Sequence, residues 1–600
     1  MKKIVVFSLF LLWANSILAQ AEPKMGFRVH SHNDYLQNIP FWKAFSAGAT
    51  SIEADVFLKE GALYVAHAQE EIHIDRKLEN LYLEPIQKSI RLGLGSDQPL
   101  QLLIDIKSEP YATLTAIVKS LERYPDIISS NTISIVISGN RPKPSEYIDY
   151  PSYIFFDYQS LEAITNPSIL AKIALVSLSF QGFSQWNGKG RLTAEDLEKV
   201  SSTIKKAKSL GKPFRFWATP DSKSSWKAFV DVGVDFINTD MPFECSGYLS
   251  TLGFRTYANT VFSEVYKPSF ESDQKDETVK NIILMIGDGN GLTQISATAL
   301  ANNGELSLTQ LKSIGFLKTQ SADDFTTDSA GAGTALATGK KVPNRAIGTT
   351  IDGSRLDNIT ELLSKKGFVS GIVTTDEISG ATPSAFYAHQ KDRSMSQEIM
   401  DDLSKSTLSL FISKGTSGNL TENKIGDFTM VPSLDQVGKS TNSKIGSFMP
   451  GDPAADTSKN ELSSATENAL QFLKQKNSPF FLLVEGAKID SYGHENDISG
   501  VIKEGIGFDK AITQALKFAD SNKNTLVIVT ADHETGGLTI PQGNLRENKI
   551  EGDFTTHDHT GTMIPVFAYG PKSDQFQGVY ENNVLFDKML KVLNIAIENE

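Results

Sequence analysis

Residues 281–291 have the sequence Asn-Ile-Ile-Leu-Met-Ile-Gly-Asp-Gly-Asn-Gly, a continuous apolar run that ends in glycines and one carboxylate. A run without polar alternation is typical of a strand buried on both faces of a parallel sheet. Similar runs occur at Val369–Thr375, Phe480–Glu485 and Thr525–Thr530, and the stretches between them have helical character. The pattern predicts a doubly wound α/β/α sandwich, in which functional residues collect at the carboxyl ends of the strands.

The first half of the chain contains eight shorter apolar runs that alternate with segments of helical character. They are Phe27–Asn33, Ser51–Leu58, Leu102–Lys107, Ile133–Asn140, Tyr153–Tyr158, Ala174–Phe180, Phe214–Thr219 and Val234–Asp240. Such an alternation favours a closed (β/α)8 barrel of the TIM type over an open sheet. The expected fold class is therefore α/β, with an N-terminal barrel followed by the doubly wound sandwich.

The chain has 600 residues, more than the roughly 250–300 residues at which a single hydrophobic core stops growing. We divide it into a signal peptide, a barrel, a linker and a sandwich domain, at residues 1–21, 22–260, 261–280 and 281–600. The linker is placed where the strand pattern lapses and polar and charged residues accumulate.

The N-terminus has the order of segments found in secretory signals. Lys2 and Lys3 precede an apolar run at residues 4–13, and small residues follow at 16–21. The apolar run is too short to span a bilayer as a stable helix. We therefore expect a cleaved signal peptide, a secreted or periplasmic protein, and no membrane span. Cys245 is the only cysteine, which excludes an intramolecular disulfide.

The charge of the chain bears on its partners. The formal net charge is −13 and the isoelectric point is about 5.3. A protein that binds a phosphate backbone normally carries a basic face. Nucleic acid is therefore a poor candidate as a partner, and a homodimer is left open.

The strand ends of the second half carry residue types that bind metals. These residues are Asp288, Glu485, Asp490, His494, Asp532, His533 and His559. Any one of them alone is more often a helix cap or a structural histidine than a ligand. Because strand ends converge on one edge of a sheet, the whole set predicts a metal site there.

Six motifs in this half resemble those of the alkaline phosphatase family, in the family's order. They are residues 281–291, Thr327-Asp-Ser-Ala330, Gly380-Ala-Thr-Pro383, Val484-Glu-Gly-Ala-Lys-Ile-Asp490, Thr530-Ala-Asp-His533 and His559-Thr-Gly561. The resemblance covers residues 281–597 and implies a metal-dependent phosphomonoesterase that takes small phosphate esters and releases inorganic phosphate.

The resemblance also implies two zinc ions and one magnesium ion. The ligand sets are Asp490, His494 and His559 for one zinc, Asp288, Asp532 and His533 for the other, and Asp288, Thr382 and Glu485 for magnesium. The residue types suit these ions, because zinc accepts imidazole and carboxylate donors whereas magnesium prefers oxygen.

In the resemblance, Ser329 is the nucleophile that forms a phosphoserine intermediate, and Arg393 clamps the phosphate. A serine hydroxyl is a weak nucleophile at neutral pH and needs activation, here by a metal. The small residues after Ser329 indicate a helix whose N-terminus favours a phosphate group. The nearby segment Gly333–Lys341 is not a P-loop, because its glycine spacing is wrong and Lys341 replaces the required Ser or Thr.

Two positions depart from the family pattern. Gly380 lies two residues before Thr382, where many members carry Asp or His, and Ser491 replaces a basic residue found in some members. We expect the first departure to affect the surroundings of the magnesium site and the second to affect phosphate affinity.

The barrel has a second constellation at its strand ends. Alternation along a strand places Glu53 and Asp55 on one face, and likewise Asp105 and Lys107. His32 and His67 also fall at the carboxyl ends of strands or in the loops that follow them, where barrel active sites lie. Trp217 and Asp240, at the ends of the last two strands, are either substrate contacts or a packing residue and a helix cap.

This constellation resembles the superfamily of glycerophosphodiester phosphodiesterases and phosphatidylinositol phospholipases C. The resemblance implies His32 and His67 as the acid/base pair and Lys107 as a phosphate contact. It implies Glu53, Asp55 and Asp105 as ligands of one calcium or magnesium ion. The match is looser here, since residues 31–34 read Ser-His-Asn-Asp where many phosphodiesterases have His-Arg-Gly, and Asp105 replaces the usual Glu.

Together, the two halves suggest a secreted enzyme that cuts a phosphodiester in the barrel and releases phosphate in the sandwich domain. Two alternatives stay open. The barrel could be a non-catalytic module for binding, or the C-terminal domain could act chiefly on phosphodiesters or sulfates, which the Arg393 clamp disfavours.

Overall fold

The computed structural model describes residues 28–415, 424–450 and 461–596. The signal-peptide prediction for residues 1–21 lies outside them. The chain divides into two compact units, Met1–Leu252 and Gly253–Glu600. No helix among the described residues combines the length and the apolar character that crossing a membrane requires.

The first unit is a closed barrel of eight parallel strands. Its strands, together with one hairpin strand, are β1 (Arg28–Ser31), β2 (Ser51–Lys59), β3 (Ala62–Val65), β4 (Leu100–Ile106), β5 (Ile133–Gly139), β6 (Ile154–Tyr158), β7 (Ile173–Ser179), β8 (Phe214–Trp217) and β9 (Phe236–Thr239). The ring closes because β1 pairs in parallel with both β2 and β9. The predicted barrel is confirmed, and each of its eight apolar runs forms a strand.

The hairpin strand β3 was not predicted. It pairs antiparallel with the end of β2 and lies outside the ring. Its role in the fold is to carry the chain back over the strand end to His67, two residues beyond its last residue.

Helices cover the outside of the barrel. They are α1 (Trp42–Ser46), α2 (Glu84–Arg91), α3 (Pro110–Leu121), α4 (Pro125–Ile128), α5 (Pro167–Ala171), α6 (Ala194–Lys208), α7 (Lys223–Asp231) and α8 (Pro242–Ser250). Short 3₁₀ turns occur at Asp34–Leu36, Gln69–Glu71, Pro144–Asp149 and Phe180–Gly182, and a π-helical turn occurs at Glu79–Leu83.

Strand alternation separates two apolar layers in this unit. Leu102, Ile104 and Ile106 of β4 pack in the large core beneath the helices. Leu103 packs in a small cluster with residues of alternate strands, inside the barrel. Asp105 has the same parity as Leu103, so the strand directs it to the barrel interior.

The second unit is built on an eleven-stranded mixed sheet. The strands of the unit are β10 (Thr256–Ala258), β11 (Asn281–Gly287), β12 (Ser313–Lys318), β13 (Val369–Glu377), β14 (Leu410–Lys414), β15 (Lys424–Ile425), β16 (Phe428–Val431), β17 (Ile445–Met449), β18 (Phe480–Gly486), β19 (Thr525–Thr530), β20 (Glu534–Thr535), β21 (Thr539–Asn544), β22 (Lys549–Asp553), β23 (His559–Thr560), β24 (Ile564–Tyr569) and β25 (Gly578–Glu581).

The four predicted strands β11, β13, β18 and β19 are neighbours at the centre of this sheet. The order is β15-β16-β17-β14-β13-β18-β11-β19-β24-β12-β25, and the run from β16 to β19 is parallel. The strand β24 pairs antiparallel with β19 and β12. The outer strands were not predicted.

Helices lie on both faces of the sheet. They are α9 (Leu252–Arg255), at the unit boundary, and α10 (Leu292–Ala301), α11 (Ser329–Thr338), α12 (Ile359–Ser364), α13 (Ala381–Ser384), α14 (Ser396–Lys405), α15 (Leu434–Val437), α16 (Glu461–Gln475), α17 (Lys488–Glu495), α18 (Ile498–Ser521) and α19 (Val584–Val592). Two 3₁₀ turns lie at Leu308–Gln310 and Ser573–Phe576.

The continuous apolar run of β11 explains the sandwich. Ile283 and Met285 pack in one core with α16 and α18, whereas Ile282, Leu284 and Ile286 pack in the other with α11 and α12. A strand with a core on each face needs an apolar residue at every position. The predicted α/β/α sandwich is confirmed.

Residues 259–274, most of which were predicted to be a linker, are fixed to the second unit by hydrogen bonds. The carboxylate of Asp520 accepts from the hydroxyl of Tyr266 at 2.6 Å, from the backbone N–H of Ser269 at 2.9 Å and from the hydroxyls of Ser269 and Tyr569. Partial burial opposes ionisation, but the hydrogen bonds outweigh it and lower the pKa of Asp520.

We predict that Asp520→Asn destabilises the second unit by about 2 kcal/mol, the scale of hydrogen bonds to a charged group. Calorimetry at pH 7 should show a lower Tm, and proteolysis should cut residues 259–274 faster. A depressed pKa stabilises above the unfolded value of about 3.9, so the difference from wild type should shrink as the pH falls below about 4. The exposed control Asp574→Asn should behave like wild type.

Candidate active sites

Three neighbouring strands of the second unit deliver metal-binding side chains to one edge of the sheet. Asp288 follows β11, Glu485 lies near the end of β18, and Asp532 and His533 follow β19. In the sheet β11 lies between β18 and β19. The predicted convergence of these residues is therefore observed.

Asp288, Asp532 and His533 form a buried cluster whose ligand atoms could hold one metal ion. The Nε2 atom of His533 lies 3.2 Å from Oδ2 of Asp532 and 3.5 Å from Oδ1 of Asp288. The hydroxyl oxygen of Ser329 lies 3.4 Å from the same Nε2 atom. The predicted nucleophile thus borders the predicted second zinc site.

Asp490, His494 and His559 form the second cluster of this unit. The two Nε2 atoms lie 3.1 Å apart, and Asp490 oxygens lie 3.3 Å and 3.5 Å from those of His494 and His559. Asp490 and His494 come from the same face of α17, and His559 comes from β23.

Hydrogen bonds fix the tautomers of these histidines. The Nδ1 atom of His494 donates to the carbonyl of His557 at 2.6 Å, and that of His559 donates to the carbonyl of Thr327 at 2.8 Å. A carbonyl oxygen only accepts, so the Nδ1 atoms carry protons and the Nε2 atoms face each other. Two such nitrogens and a carboxylate suit a proton or a metal cation between them, as in zinc sites with oriented histidines.

Thr535 plays the same part for His533. Its hydroxyl donates to Oδ1 of Asp490 at 2.5 Å, and the hydroxyl oxygen lies 3.2 Å from Nδ1 of His533. Because the hydroxyl proton is used for Asp490, Nδ1 of His533 is the donor and its Nε2 is directed at the carboxylates. Thr535 was missed by the sequence analysis, since nothing in the sequence links it to Asp490.

Buried carboxylate atoms without partners support cation binding. Oδ1 of Asp288 and Oδ2 of Asp532 are buried and have no hydrogen-bond partner. Burial and the neighbouring charge of Asp532 raise the pKa of Asp288 well above its usual value. A bound cation would satisfy these oxygens, so the residues present fit the metals that were predicted.

The predicted magnesium ligands also lie near one another. Glu485 is close enough to Asp288 to raise its pKa, and the buried hydroxyl of Thr382 has no hydrogen-bond partner. Burial, followed by the charge of Asp376, raises the pKa of Glu485 to about 8. All of these donors are oxygens, which is the preference of magnesium.

Ser329 is the first residue of α11, and Asp328 caps that helix. One oxygen of Asp328 accepts from the N–H of Gly331 at 2.8 Å, and the other accepts from Nη1 of Arg393 at 3.1 Å. The predicted nucleophile thus lies at a helix N-terminus with an arginine held beside it. A guanidinium has five N–H donors, so this contact leaves donors for phosphate oxygens.

The barrel brings its predicted metal ligands together in the same way. Glu53, Asp55 and Asp105 form a cluster whose oxygens could hold one ion. Oδ1 of Asp55 and Oδ1 of Asp105 are buried without a hydrogen-bond partner. Burial, followed by the charge of Glu53, raises the pKa of Asp105 to about 7. Nζ of Lys107 lies 3.1 Å from Oδ2 of Asp55 and 3.4 Å from Oδ1 of Asp105.

The two predicted acid/base histidines each lie beside a carboxylate of this cluster. Nδ1 of His32 bonds Oδ1 of Asp240 at 2.7 Å, and its Nε2 lies 3.8 Å from Glu53. Burial alone would lower the pKa of His32, but the hydrogen bond to Asp240 contributes to a pKa that is raised overall. Nδ1 of His67 lies 3.2 Å from Oδ2 of Asp55. Asp240 therefore contacts His32 directly.

Buried residues beneath this cluster were missed. Nη1 of Arg215 donates to Oε2 of Glu53 at 2.8 Å and also contacts His30. His30 bonds Ser51 and Glu53, and burial lowers its pKa to about 3, so it is a neutral structural residue. The hydroxyl of Tyr35 donates to Asp55 at 2.8 Å. The only sequence signal for these buried residues was a polar residue within an apolar strand, such as Arg215 in β8.

Comparison with known proteins agrees with these arrangements. The family model for alkaline phosphatase matches residues 279–417, 434–552 and 543–595. Alkaline phosphatase 4 of Bacillus subtilis is 31% identical over 441 residues, which cover 57% of this chain and 95% of that protein. The chain belongs to the alkaline phosphatase family. It is accordingly a metal-dependent hydrolase that acts on phosphate monoesters.

This member of the alkaline phosphatase family is also similar to a bacterial enzyme and to a solved structure. Alkaline phosphatase of Escherichia coli is 28% identical over 411 residues, covering 53% of this chain and 87% of that protein. A mutant of the TAB5 alkaline phosphatase, solved with Mg bound in its M3 site, is 40% identical with a TM-score of 0.50. The match covers 54% of this chain and all of that one.

The barrel matches other families. An AIM6-like phosphodiesterase domain matches residues 19–128, and the glycerophosphoryl diester phosphodiesterase family matches residues 213–242. The first match includes the two histidines and the three carboxylates of the barrel cluster, and the second includes Arg215 and Asp240.

We predict that Thr535→Val weakens zinc binding by about 10- to 100-fold, the usual cost of losing a partner that orients a metal ligand. Valine has nearly the same shape but cannot hold the His533 tautomer or bond Asp490. Competition with a chromogenic chelator would measure the affinity, and excess zinc should restore monoesterase activity. Wild-type affinity in the variant would contradict this role. Thr466→Val, which removes a buried helical hydroxyl elsewhere, is the control.

Proposed function

We propose that this protein is a secreted enzyme with two successive activities. The barrel cleaves a phosphodiester to a monoester, and the phosphatase unit releases inorganic phosphate through a phosphoserine at Ser329. The observation that carries the proposal is the position of the Ser329 hydroxyl, 3.4 Å from His533 Nε2 at the edge of a metal-binding cluster.

The clustered metal-binding residues and the N-terminus of α11 support Ser329 as the nucleophile. Asp490, His494 and His559 would hold one zinc, Asp288, Asp532 and His533 the second, and Asp288, Thr382 and Glu485 a magnesium. When bound, these metals supply positive charge that favours the ionised hydroxyl and offsets charge on the phosphoryl group. The N-terminus of α11 directs backbone N–H groups at the same place.

Arg393 orients the substrate in this proposal. Asp328 holds its guanidinium beside the nucleophile, and the remaining donors bind two oxygens of the phosphate. Ser329 then attacks phosphorus, the ester oxygen leaves, and water later releases phosphate from the serine. A dianionic monoester uses both the arginine and the clustered positive charge, which favours monoesters over diesters and sulfates at this site.

In the barrel, His32 and His67 act as the acid/base pair. His32 donates from Nδ1 to the carboxylate of Asp240, so its Nε2 takes up a proton from the attacking group. His67, which lies beside Asp55, donates a proton to the leaving oxygen. Glu53, Asp55 and Asp105 would hold calcium or magnesium, and Lys107 contacts a phosphate oxygen.

The paired histidines favour catalysis over a purely binding role for the barrel. A binding module needs charge complementarity to a phosphate, which Lys107 and a metal would provide alone. It does not need two imidazoles beside the carboxylates, one of them oriented by Asp240.

We predict that the two activities are separable in the full chain. Ser329→Ala should lower hydrolysis of p-nitrophenyl phosphate at least 1,000-fold, on the order of the loss for a catalytic nucleophile, while hydrolysis of bis-p-nitrophenyl phosphate to the monoester continues. His32→Ala should do the reverse, with a loss of about 100-fold or more in diester cleavage.

Matched variants serve as controls for these losses. Ser447→Ala removes a buried serine that bonds only a backbone carbonyl, and His73→Ala removes an exposed histidine of the barrel unit. Equal loss of both activities in Ser329→Ala would refute the division of labour. Unchanged diester cleavage in His32→Ala would make the barrel a binding module.

A further inference from the structure

Position 380, two residues before Thr382, is a glycine, so it contributes no side chain to the surroundings of the predicted magnesium site. It caps α13 with φ −56° and ψ 160°, a conformation open to any residue. A Cβ atom on Gly380 would nevertheless lie 2.4 Å from Oδ2 of Asp376. The carboxylate of Asp376 therefore occupies the space that a side chain at position 380 would enter.

Asp376 is also connected to the oxygen cluster. Its backbone N–H donates to the hydroxyl of Thr374 at 2.9 Å, and that hydroxyl donates to Oε2 of Glu485. These hydrogen bonds join the backbone of Asp376 to the side chain of Glu485 through one hydroxyl. Carboxylates gathered at one partly buried site favour a positive charge nearby.

Lys488 provides part of that charge. Its Nζ atom lies 3.7 Å from Oδ1 of Asp376. Lys488 is the first residue of α17, the helix that carries Asp490 and His494. The pair therefore links the end of β13 to the helix that supplies two ligands of the first cluster.

A second observation favours a cation beside this pair. The hydroxyl of Thr382 is buried, with the residue only 1% exposed, and it has no hydrogen-bond partner. Oδ1 of Asp288 is unpartnered as well. An oxygen-binding cation among Asp288, Thr382 and Glu485 would satisfy both atoms.

We propose that Asp376 supplies the magnesium site with the carboxylate that position 380 lacks, and that Lys488 holds this carboxylate in place. The inference rests on the proposed function, because it concerns the same third-metal site. It adds Asp376 to the residues inferred from family motifs. The resulting donor set contains only oxygens, so the site selects magnesium over zinc.

The test measures magnesium binding to the zinc-loaded full chain by titration calorimetry, with metal content measured by mass spectrometry. Asp376→Asn should weaken magnesium binding about 10- to 100-fold and leave the zinc content unchanged. Lys488→Met should weaken magnesium binding to a smaller extent. The control Glu377→Gln changes the carboxylate of the next residue, which pairs with Lys414 of β14.

A double variant that moves the carboxylate from position 376 to position 380 tests the proposal even if the single variants are misfolded. Gly380→Asp alone should bind magnesium poorly, because its side chain meets Asp376. Combined with Asp376→Ala, it should restore binding, since the carboxylate then projects from position 380. Failure of the double variant to regain affinity, with wild-type zinc content, would overturn the inference.

Two outcomes separate this inference from the proposed function. If the wild-type chain binds zinc but no magnesium, the third-metal site itself is refuted. If the wild type binds magnesium and Asp376→Asn binds it equally well, the site stands and the role of Asp376 is overturned.

Discussion

Repulsion among buried carboxylates is the interaction on which the phosphatase unit depends. Asp288, Asp532 and Glu485 lie on three adjacent strands, and two of these residues carry raised pKa values because they cannot all be ionised without a cation. The apolar cores on both faces of the sheet provide the stability that allows such a cluster to persist. Metal binding and folding are therefore linked in this unit, because the ions relieve a strain that the fold itself creates.

The two units gather metal-binding residues in the same way but use different donor atoms. Each uses the carboxyl ends of parallel strands to gather carboxylates. In the phosphatase unit, histidine Nε2 atoms point into the clusters, which suits zinc. In the barrel, the histidines lie beside the carboxylates, and Lys107 forms ion pairs with these carboxylates. An oxygen-only cluster flanked by imidazoles suits a hard cation with separate acid and base groups.

The central strands and the site residues at their ends could be predicted from the sequence, because both depend on local sequence patterns. Unbroken apolar runs locate the central strands, and the residues that follow them fall at the same sheet edge whatever the details of the loops. The outer strands β12 and β24 were missed because β12 alternates buried and exposed residues and β24 contains Pro565. Contacts of Thr535, Asp240 and Asp376 were missed for another reason. Each depends on a partner brought close by the fold, and Gly380 could be recognised only as a missing side chain.

Ring closure of the barrel has a consequence for the order of folding. The strand β1 is completed only when β9, more than two hundred positions later in the chain, pairs with it. Likewise β11 obtains its neighbours β18 and β19 only after the intervening helices and strands are present. Contacts this distant make loop closure the slow step, so both units should fold late and gradually as the chain emerges. Until then the apolar strand β11 lacks its partners, which makes this segment a natural target of chaperones.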